Sequence, residues 1–185
     1  MIDLPRVHQP YQQELDAAIL AVVRSGQYIS GPVVHNFERQ VSSYLDAPVF
    51  GVGNGTDALQ IALMALGIGP GDEVIVPAFT YAASAEVIGL LGATVVWCDI
   101  ESQNYNVNAD SIEALVTSKT KAIIAVHLYG QCANIEAIEQ AAHGIPIVED
   151  AAQAFGAVFT SGKYKGQKAG TVGTFGTFSF FPTKH

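Results

Sequence analysis

The stretch EVIVPAFTYAASAEVIGLLGATVVWC, residues 73–98, decides the fold, because two apolar runs flank a segment of helical character. Both runs are continuous rather than alternating, which is typical of strands covered on both faces. We predict strands at Glu73–Val76 and Thr94–Cys98 and a helix at Ala82–Leu91. A strand, a helix and a second strand in this order indicate a parallel pair of strands.

The same alternation extends outward from this unit. Further strands are predicted at Val49–Val52, Ala122–Val126 and Pro146–Val148, and further helices at Asp57–Leu66, Ala109–Val116 and Asn134–Ala142. Repeated strand–helix units predict an α/β fold with a mostly parallel sheet and flanking helices. After Asp150 we expect a hairpin at Ala157–Tyr164, a glycine-rich loop at Gly166–Gly176 and a last strand-like run at Thr177–Phe181.

The N-terminal residues follow a different pattern. Apolar residues recur at helical spacing from Leu15 to Val23 and from Phe37 to Leu45, and Gly26 is placed to end the first helix. We therefore expect an N-terminal helical arm at residues 1–48 and a large domain at residues 49–185. A domain rarely ends directly after a strand-like run, so we expect this sequence to be the front part of a longer polypeptide.

Composition excludes several classes of protein. Of the 185 residues, 49% are hydrophobic and 14% are charged, which argues against a disordered chain. A net charge of −8 disfavours nucleic acid as a partner. We find no run long enough to span a membrane and no secretory leader, and therefore expect a cytoplasmic protein. The cysteines, Cys98 and Cys132, fit small buried hydrophobes rather than a disulfide or a metal site.

The residues after each predicted strand are candidates for a binding site, because ligands bind at the carboxyl ends of strands in open α/β sheets. The glycine-rich turn Gly51–Asp57 presents backbone N–H groups and a helix N-terminus to an anion. Thr56 replaces the third glycine of the dinucleotide-binding pattern, and the lysine of a P-loop is absent, so the turn suits a single phosphate group. Alternatively, Thr56 or Asn54 is a plain N-cap. For His127 and Tyr129, which follow a strand near the site, we expect a role in packing or in supporting the site residues from behind.

Two ionisable residues follow later strands. Asp150 ends an apolar strand, where a carboxylate requires a positive partner such as a protonated ring nitrogen; alternatively it caps the next turn. Lys184 follows an apolar run, where desolvation favours the neutral amine that forms a Schiff base; alternatively it is a surface lysine. Together with an aromatic residue after another strand, these features match the demands of pyridoxal phosphate.

Seven motifs follow one another along the chain. They are Gly26–Pro32, Gly53–Leu59, Gly69–Pro77, Phe79–Tyr81, His127–Gln131, Val148–Gln153 and Ser179–Lys184. In these motifs the sequence, from about Leu4 to its last residue, resembles the DegT/DnrJ/EryC1/StrS sugar aminotransferases, which have the aspartate-aminotransferase fold. The resemblance implies pyridoxal 5′-phosphate as cofactor.

The resemblance also implies the role of individual residues. Lys184 matches the lysine that condenses with the cofactor and later moves a proton between substrate and cofactor. Asp150 matches the carboxylate at the ring nitrogen, and Gln153 matches a residue near the ring hydroxyl. Tyr81 matches the aromatic residue that stacks on the ring.

The implied phosphate ligands are Gly55, Thr56 and Ser179. The implied reaction is ping-pong: an amino donor, which the family suggests is glutamate, leaves its amine on the cofactor, and a nucleotide-linked keto sugar receives it. The segments Gly26–Pro32 and Phe79–Ala83 resemble those of members that aminate 3-keto sugars, including uronic acids.

Family members continue past the lysine with a last sheet strand and a C-terminal small domain, and their active sites form between the subunits of a homodimer. The resemblance also implies a role for the full-length protein in amino-sugar or cell-surface polysaccharide biosynthesis. Two alternatives stay open. One is a truncated, non-catalytic fragment that binds the cofactor. The other is a nucleotide-dependent oxidoreductase on a Rossmann-like sheet, against which Thr56 argues.

Overall fold

The computed structural model describes residues 3–184, so that Met1, Ile2 and His185, the outermost residues of the predicted arm and large domain, lie outside the described part. The chain divides into two compact units, residues 1–51 and residues 52–185. The first unit is helical, and the second is built on a β-sheet. Within residues 3–184, no helix combines the length and the apolar character that crossing a bilayer requires.

Both helices predicted near the N-terminus are confirmed. The first unit contains α1 at Leu4–His8, a 3₁₀ turn at Gln9–Tyr11, α2 at Gln12–Ser25 and α3 at Pro32–Leu45. Helix α2 ends at Gly26, whose φ of 68° lies in the left-handed region that glycine adopts readily. Helix α3 begins at Pro32, because the fixed φ of proline suits the first helical position.

The second unit is a parallel sheet with helices on both faces, which confirms the predicted α/β class. Its strands are β1 at Glu73–Pro77, β2 at Thr94–Cys98, β3 at Thr120–Val126, β4 at Ile147–Asp150 and β5 at Phe175–Thr177. Its helices are α4 at Gly55–Ala65, α5 at Ala83–Leu90, α6 at Ala109–Leu115 and α7 at Ile135–Ala142, and a 3₁₀ turn lies at Leu128–Gly130. The strand order is β2-β1-β3-β4-β5, and neighbouring strands are parallel.

The core has two layers, because successive side chains of a strand point to opposite faces of the sheet. One layer, under α4 and α5, includes Leu63, Val74, Val76, Ile88, Ile124 and Val148. The other layer, under α6 and α7, includes Ile75, Ile112, Ile123, Ile138 and Ile147. The continuous apolar runs of β1 and β3 therefore reflect burial on both faces, as predicted, whereas β2 is an edge strand in which Trp97 is 53% exposed.

The strand predicted at Val49–Val52 is wrong. Within the described residues this segment pairs with no strand, Phe50 is 81% exposed, and the Gly51 N–H donates to a Glu38 carboxylate oxygen at 2.8 Å. A preference for strand structure reflects how well side chains fit a half-buried sheet surface. Without a neighbouring strand, the apolar residues of this segment do not form one.

Two later predictions also need correction. The last strand is Phe175–Thr177 rather than Thr177–Phe181, because Thr177 lies opposite Asp150, where β4 ends and offers no further partner. The expected hairpin has its second arm later than predicted. The Phe159 N–H donates to Gln167 O, and Val158 forms an isolated antiparallel bridge with Lys168.

Candidate active site

A cavity of about 310 Å³ lies at the carboxyl ends of β1, β3 and β4, beside the first turn of α4. Its volume is at the lower end of the range of small-molecule pockets, which is about 300–1,000 Å³. In the sheet β2 lies on one side of β1 and β3 lies on the other, so the strand order reverses at β1. Open α/β sheets bind ligands at such a reversal, and the cavity lies there. The structure places all the residues singled out from the sequence around it: Gly55, Thr56, Tyr81, Asp150, Gln153, Ser179 and Lys184.

The glycine-rich turn supplies the N-terminus of α4. Asn54 is the N-cap, because its Oδ1 accepts the N–H of Asp57 at 2.9 Å. The first N–H groups of a helix have no intrahelical acceptor, and in α4 they belong to Gly55 and Thr56, which line the cavity. A capping residue and a set of N–H donors for an anion are therefore both present, so the two readings of this turn are compatible.

Gly55 allows the chain after β5 to come close to α4. A Cβ atom at this position would lie 3.0 Å from the Ser179 Cβ and 3.2 Å from the Phe178 carbonyl oxygen. Because glycine has no Cβ, the hydroxyl-bearing Ser179 can lie against the first turn of the helix. The cavity thus has backbone N–H donors and two hydroxyl groups, those of Thr56 and Ser179, in one wall.

Asp150 ends β4 with its side chain 5% exposed. Its Oδ2 accepts the Ser84 hydroxyl at 2.8 Å, and its Oδ1 accepts the Ala152 N–H at 3.1 Å. The bond to Ala152 shows that the capping alternative is realised at one oxygen. Because Asp150 also lines the cavity, the other reading, in which it faces a positive group, stays compatible with the structure.

Lys184 and Tyr81 lie together at the mouth of the cavity. The Lys184 Nζ lies 5.4 Å from the centre of the Tyr81 ring, and the Tyr81 side chain is 68% exposed. Gln153 also lines the cavity, and its Oε1 accepts the N–H of Tyr129 at 2.9 Å. This bond supports Tyr129 in a left-handed conformation with φ of 55°, which is rare for a bulky residue.

The sequence analysis missed Ser84. This residue lies in the first turn of α5 and is fully buried, with its hydroxyl donated to Asp150. The signal that could have found it is a serine in the largely apolar helix that follows β1. A buried hydroxyl needs a partner, and the helix begins at the same edge of the sheet as the cavity.

The second missed residue is Glu149, which alternation places on the face of the sheet opposite Asp150. It is fully buried and accepts hydrogen bonds from His127 and from the N–H groups of Gly170, Val172 and Gly173. Burial raises the pKa of Glu149, but the hydrogen bonds from His127 and the backbone outweigh burial, and the pKa is lowered from its ordinary value. His127 therefore has a packing and hydrogen-bonding role, in line with the prediction from the sequence.

The potential metal ligands in the described part of the chain do not cluster. Among residues 3–184 no three His, Cys, Asp or Glu side chains gather as a metal site would require. Cys98 is buried and Cys132 is half-buried, and both are free thiols. The expectation of small apolar cysteines therefore fits Cys98 well and Cys132 in part.

The donor set of the cavity fits pyridoxal phosphate. The backbone N–H groups and hydroxyls beside α4 suit a phosphate. The buried carboxylate of Asp150 at the end of β4 suits a protonated ring nitrogen. An aromatic ring and a primary amine complete the set. The close approach of Ser179 to the first turn of α4, which the missing Cβ of Gly55 allows, is the structural observation that supports the fit of the phosphate group.

The sequence model of the DegT/DnrJ/EryC1/StrS aminotransferase family matches residues 10–185. The chain is 48% identical over 186 residues to the UDP-2-acetamido-2-deoxy-3-oxo-D-glucuronate aminotransferase of Pseudomonas aeruginosa, and the match covers 99% of this chain and 50% of that protein. It is 41% identical over 187 residues to the dTDP-3-amino-3,4,6-trideoxy-alpha-D-glucose transaminase of Streptomyces venezuelae, covering 100% of this chain and 48% of that protein.

Solved structures are similar to most of this chain. A DegT DnrJ EryC1 StrS aminotransferase from Brucella abortus superposes with a TM-score of 0.91 at 41% identity, covering 99% of this chain and 50% of that one. NtdA from Bacillus subtilis with bound cofactor PMP gives a TM-score of 0.76 at 35% identity, covering 83% of this chain and 36% of that one. The chain spans about half the length of the curated relatives it matches.

Proposed function

The chain belongs to the DegT/DnrJ/EryC1/StrS aminotransferase family, and from this premise we propose that it provides the cofactor-binding part of a pyridoxal-phosphate-dependent aminotransferase acting on a nucleotide-linked keto sugar. The observation that carries the proposal is the gathering of a lysine, a carboxylate, an aromatic ring and phosphate-type donors around one cavity. Membership of this family rules out the nucleotide-dependent oxidoreductase, the alternative that the glycine-rich turn had left open.

Each wall of the cavity has a distinct task in this proposal. The N–H groups of Gly55 and Thr56, with the hydroxyls of Thr56 and Ser179, hold the phosphate group. Asp150 binds the ring nitrogen, and Tyr81 covers one face of the ring. When bound, pyridoxal phosphate supplies an electron sink for a carbanion at the substrate carbon. Lys184 anchors the cofactor through its Nζ atom, and the same Nζ moves a proton to and from the substrate carbon.

The substrate part of the proposal rests on the relatives. The two described above are, by name, aminotransferases of UDP- and dTDP-linked sugars. We propose a keto sugar with its carbonyl at C3, including uronic acid forms, and glutamate as the amino donor. We further propose that the full-length protein is a cytoplasmic homodimer in amino-sugar or cell-surface polysaccharide biosynthesis.

Covalent labelling tests the cofactor part of the proposal. The protein is incubated with pyridoxal phosphate, reduced with borohydride, digested and mapped by mass spectrometry. We expect the pyridoxyl group on Lys184, and no label at this site in Lys184→Arg. Lys163→Arg is the matched control, because the Lys163 Nζ is held by Glu139 at 2.8 Å on the surface, and it should keep the label on Lys184. A label spread evenly over the surface lysines would contradict the proposal.

Turnover separates an enzyme from a fragment that only binds the cofactor. Addition of glutamate to the loaded protein should convert the bound cofactor to pyridoxamine phosphate, visible as a change of its absorption band. A UDP-linked 3-keto sugar should then restore the first band and yield an amino sugar nucleotide, detected by mass spectrometry. Cofactor that stays bound and unchanged in the presence of glutamate would favour the non-catalytic alternative.

A further inference from the structure

Asp150 is connected to the wall of the cavity by a short chain of hydroxyl groups. The Ser84 Oγ–H donates to Asp150 Oδ2 at 2.8 Å, and the Thr80 Oγ1 lies 3.2 Å from the Ser84 Oγ. Ser84 is fully buried, whereas Thr80 lines the cavity. Both residues lie where β1 leads into α5, and Asp150 lies at the end of β4, 66 positions from Ser84.

The direction of these hydrogen bonds follows from the number of protons available. A serine hydroxyl has one hydrogen, and that hydrogen is donated to Asp150. The Ser84 oxygen must therefore accept, and the Thr80 O–H donates to it. Hydrogen bonds in a chain polarise one another, so the Thr80 hydroxyl strengthens the bond that reaches the carboxylate.

The two oxygens of Asp150 are held from different sides. Oδ2 accepts from Ser84, and Oδ1 accepts the Ala152 N–H at 3.1 Å. The torsion that rotates an aspartate carboxylate has broad minima, so hydrogen bonds rather than rotamer preference fix its plane. A carboxylate oxygen has two lone pairs, so each oxygen keeps one that can accept a further bond.

We infer that Ser84, assisted by Thr80, is a positioning residue that sets the direction in which Asp150 offers a lone pair to the ring nitrogen of the cofactor. The inference rests on the proposed function, because it assumes that Asp150 binds this nitrogen. Ser84 does not line the cavity. Its influence on the cofactor therefore passes through Asp150 and depends on the nitrogen being present.

This dependence separates positioning from a purely structural role. The affinity of the protein is measured for pyridoxal phosphate and for 1-deazapyridoxal phosphate, in which a C–H group replaces the ring nitrogen. We expect Ser84→Ala to weaken binding of pyridoxal phosphate by about tenfold, the worth of about one hydrogen bond to a charged group. Binding of the deaza compound should change by less than about twofold.

Further variants keep the test informative if Ser84→Ala folds poorly. Ser84→Cys keeps the size of the side chain but is a weak donor, and Thr80→Val keeps the shape while removing the hydroxyl that donates to Ser84. Both should weaken binding of pyridoxal phosphate selectively, Thr80→Val less than Ser84→Ala. Ser42→Ala is the control, because it removes a 2.7 Å hydroxyl bond to Ala47 O in the N-terminal unit, and it should change neither affinity.

Several outcomes would overturn the inference. Equal losses of affinity for both compounds in the Ser84 variants would show that Ser84 has only a structural role. Unchanged affinity for both compounds would show that Ser84 does not influence cofactor binding. If the unsubstituted protein binds both compounds equally well, Asp150 does not act on the ring nitrogen, and the inference fails while cofactor binding stands. If it binds neither compound, the proposed function fails, and the inference fails with it.

Discussion

Glu149 and His127 form a buried pair in which Oε2 and Nε2 lie 2.7 Å apart, with neither side chain exposed to solvent. The Ala133 N–H donates to Nδ1 of His127, so the ring proton is on Nε2 and is donated to Glu149. The same carboxylate accepts the N–H groups of Gly170, Val172 and Gly173. Glu149 thereby holds the loop that leads into β5 and onward to the cavity.

Replacement of this carboxylate should strongly destabilise the fold. In Glu149→Gln an amide NH₂ takes the place of an acceptor oxygen, so it faces donors and leaves buried N–H groups without a partner. We expect the free energy of unfolding to fall by about 2–6 kcal/mol, because two buried N–H donors lose their acceptor and each such loss costs about 1–3 kcal/mol. Urea denaturation followed by circular dichroism measures the change.

The matched control for this substitution is Glu136→Gln. The Glu136 Oε2 accepts the Lys163 N–H at an exposed site, and a glutamine oxygen can accept the same bond. Its unfolding free energy should stay within about 0.5 kcal/mol of the parent value, as is usual for surface substitutions. Similar losses in both variants would contradict the role given to Glu149.

The contribution of Glu149 should depend on pH in a defined direction. Its pKa in the folded protein is lowered below the ordinary value of 4.5, so the stability it contributes is complete above that value. The contribution is lost as the pH falls through the lowered folded pKa. The difference in unfolding free energy between the parent and Glu149→Gln should therefore be constant from pH 7 to about pH 5 and narrow below it. A difference that stays constant down to pH 3 would refute this assignment.

Substitution of Asp150 should weaken cofactor binding. In Asp150→Asn the proposed negative partner of the cofactor's ring nitrogen is lost, and the two atoms that accept from Ser84 and Ala152 cannot both remain acceptors. We expect the affinity for pyridoxal phosphate to fall about 10- to 100-fold, as for loss of a hydrogen bond between charged groups. Fluorescence titration provides the measurement. Asp72→Asn, at a loop carboxylate whose Oδ2 accepts the Gly69 N–H at 3.0 Å, should bind the cofactor normally.

The two cysteines should react at different rates. Burial raises the pKa of Cys98 to about 12, and the thiol is 1% exposed, so almost no reactive thiolate exists at pH 8. Burial also raises the pKa of Cys132, but this residue is only half-buried. Iodoacetamide should therefore modify Cys132 first, and Cys98 only after denaturation, as mapped by mass spectrometry. Equal labelling of both thiols in the folded protein would speak against the buried position of Cys98.

Gly176 should tolerate no side chain. A Cβ atom there would overlap the carbonyl oxygen of Gly170, which belongs to the loop that Glu149 holds. We expect Gly176→Ala to lower the unfolding free energy by about 1–3 kcal/mol, the range for overpacked sites. Gly69→Ala is the control, since a Cβ atom at Gly69 meets no atom within 4 Å. In thermal denaturation Gly176→Ala should have a lower melting temperature than Gly69→Ala. Equal melting temperatures would contradict the close packing of Gly176.

Hydrophobic pattern predicted the central strands of the sheet and also β2, an edge strand in which Trp97 is 53% exposed. The predicted strand Thr94–Cys98 is confirmed with both ends correct, and β3 was predicted to within two residues. The same reasoning was wrong at Val49–Val52, and β5 begins two residues and ends four residues earlier than predicted. In both places the decisive factor is whether a neighbouring strand is available for hydrogen bonding, and this is not a property of the segment itself.

The sequence by itself determined the class of fold and the family, because apolar periodicity and ordered motifs are local features of the chain. It also indicated which residues surround the cavity, and the roles of these residues stay predictions. Only the tertiary structure decided which groups form hydrogen bonds to the buried carboxylates. Ser84 bonds to Asp150, 66 positions away in the sequence, and His127 bonds to Glu149, 22 positions away. These contacts depend on strand order and on which face a side chain occupies, and both are fixed only when the sheet is assembled.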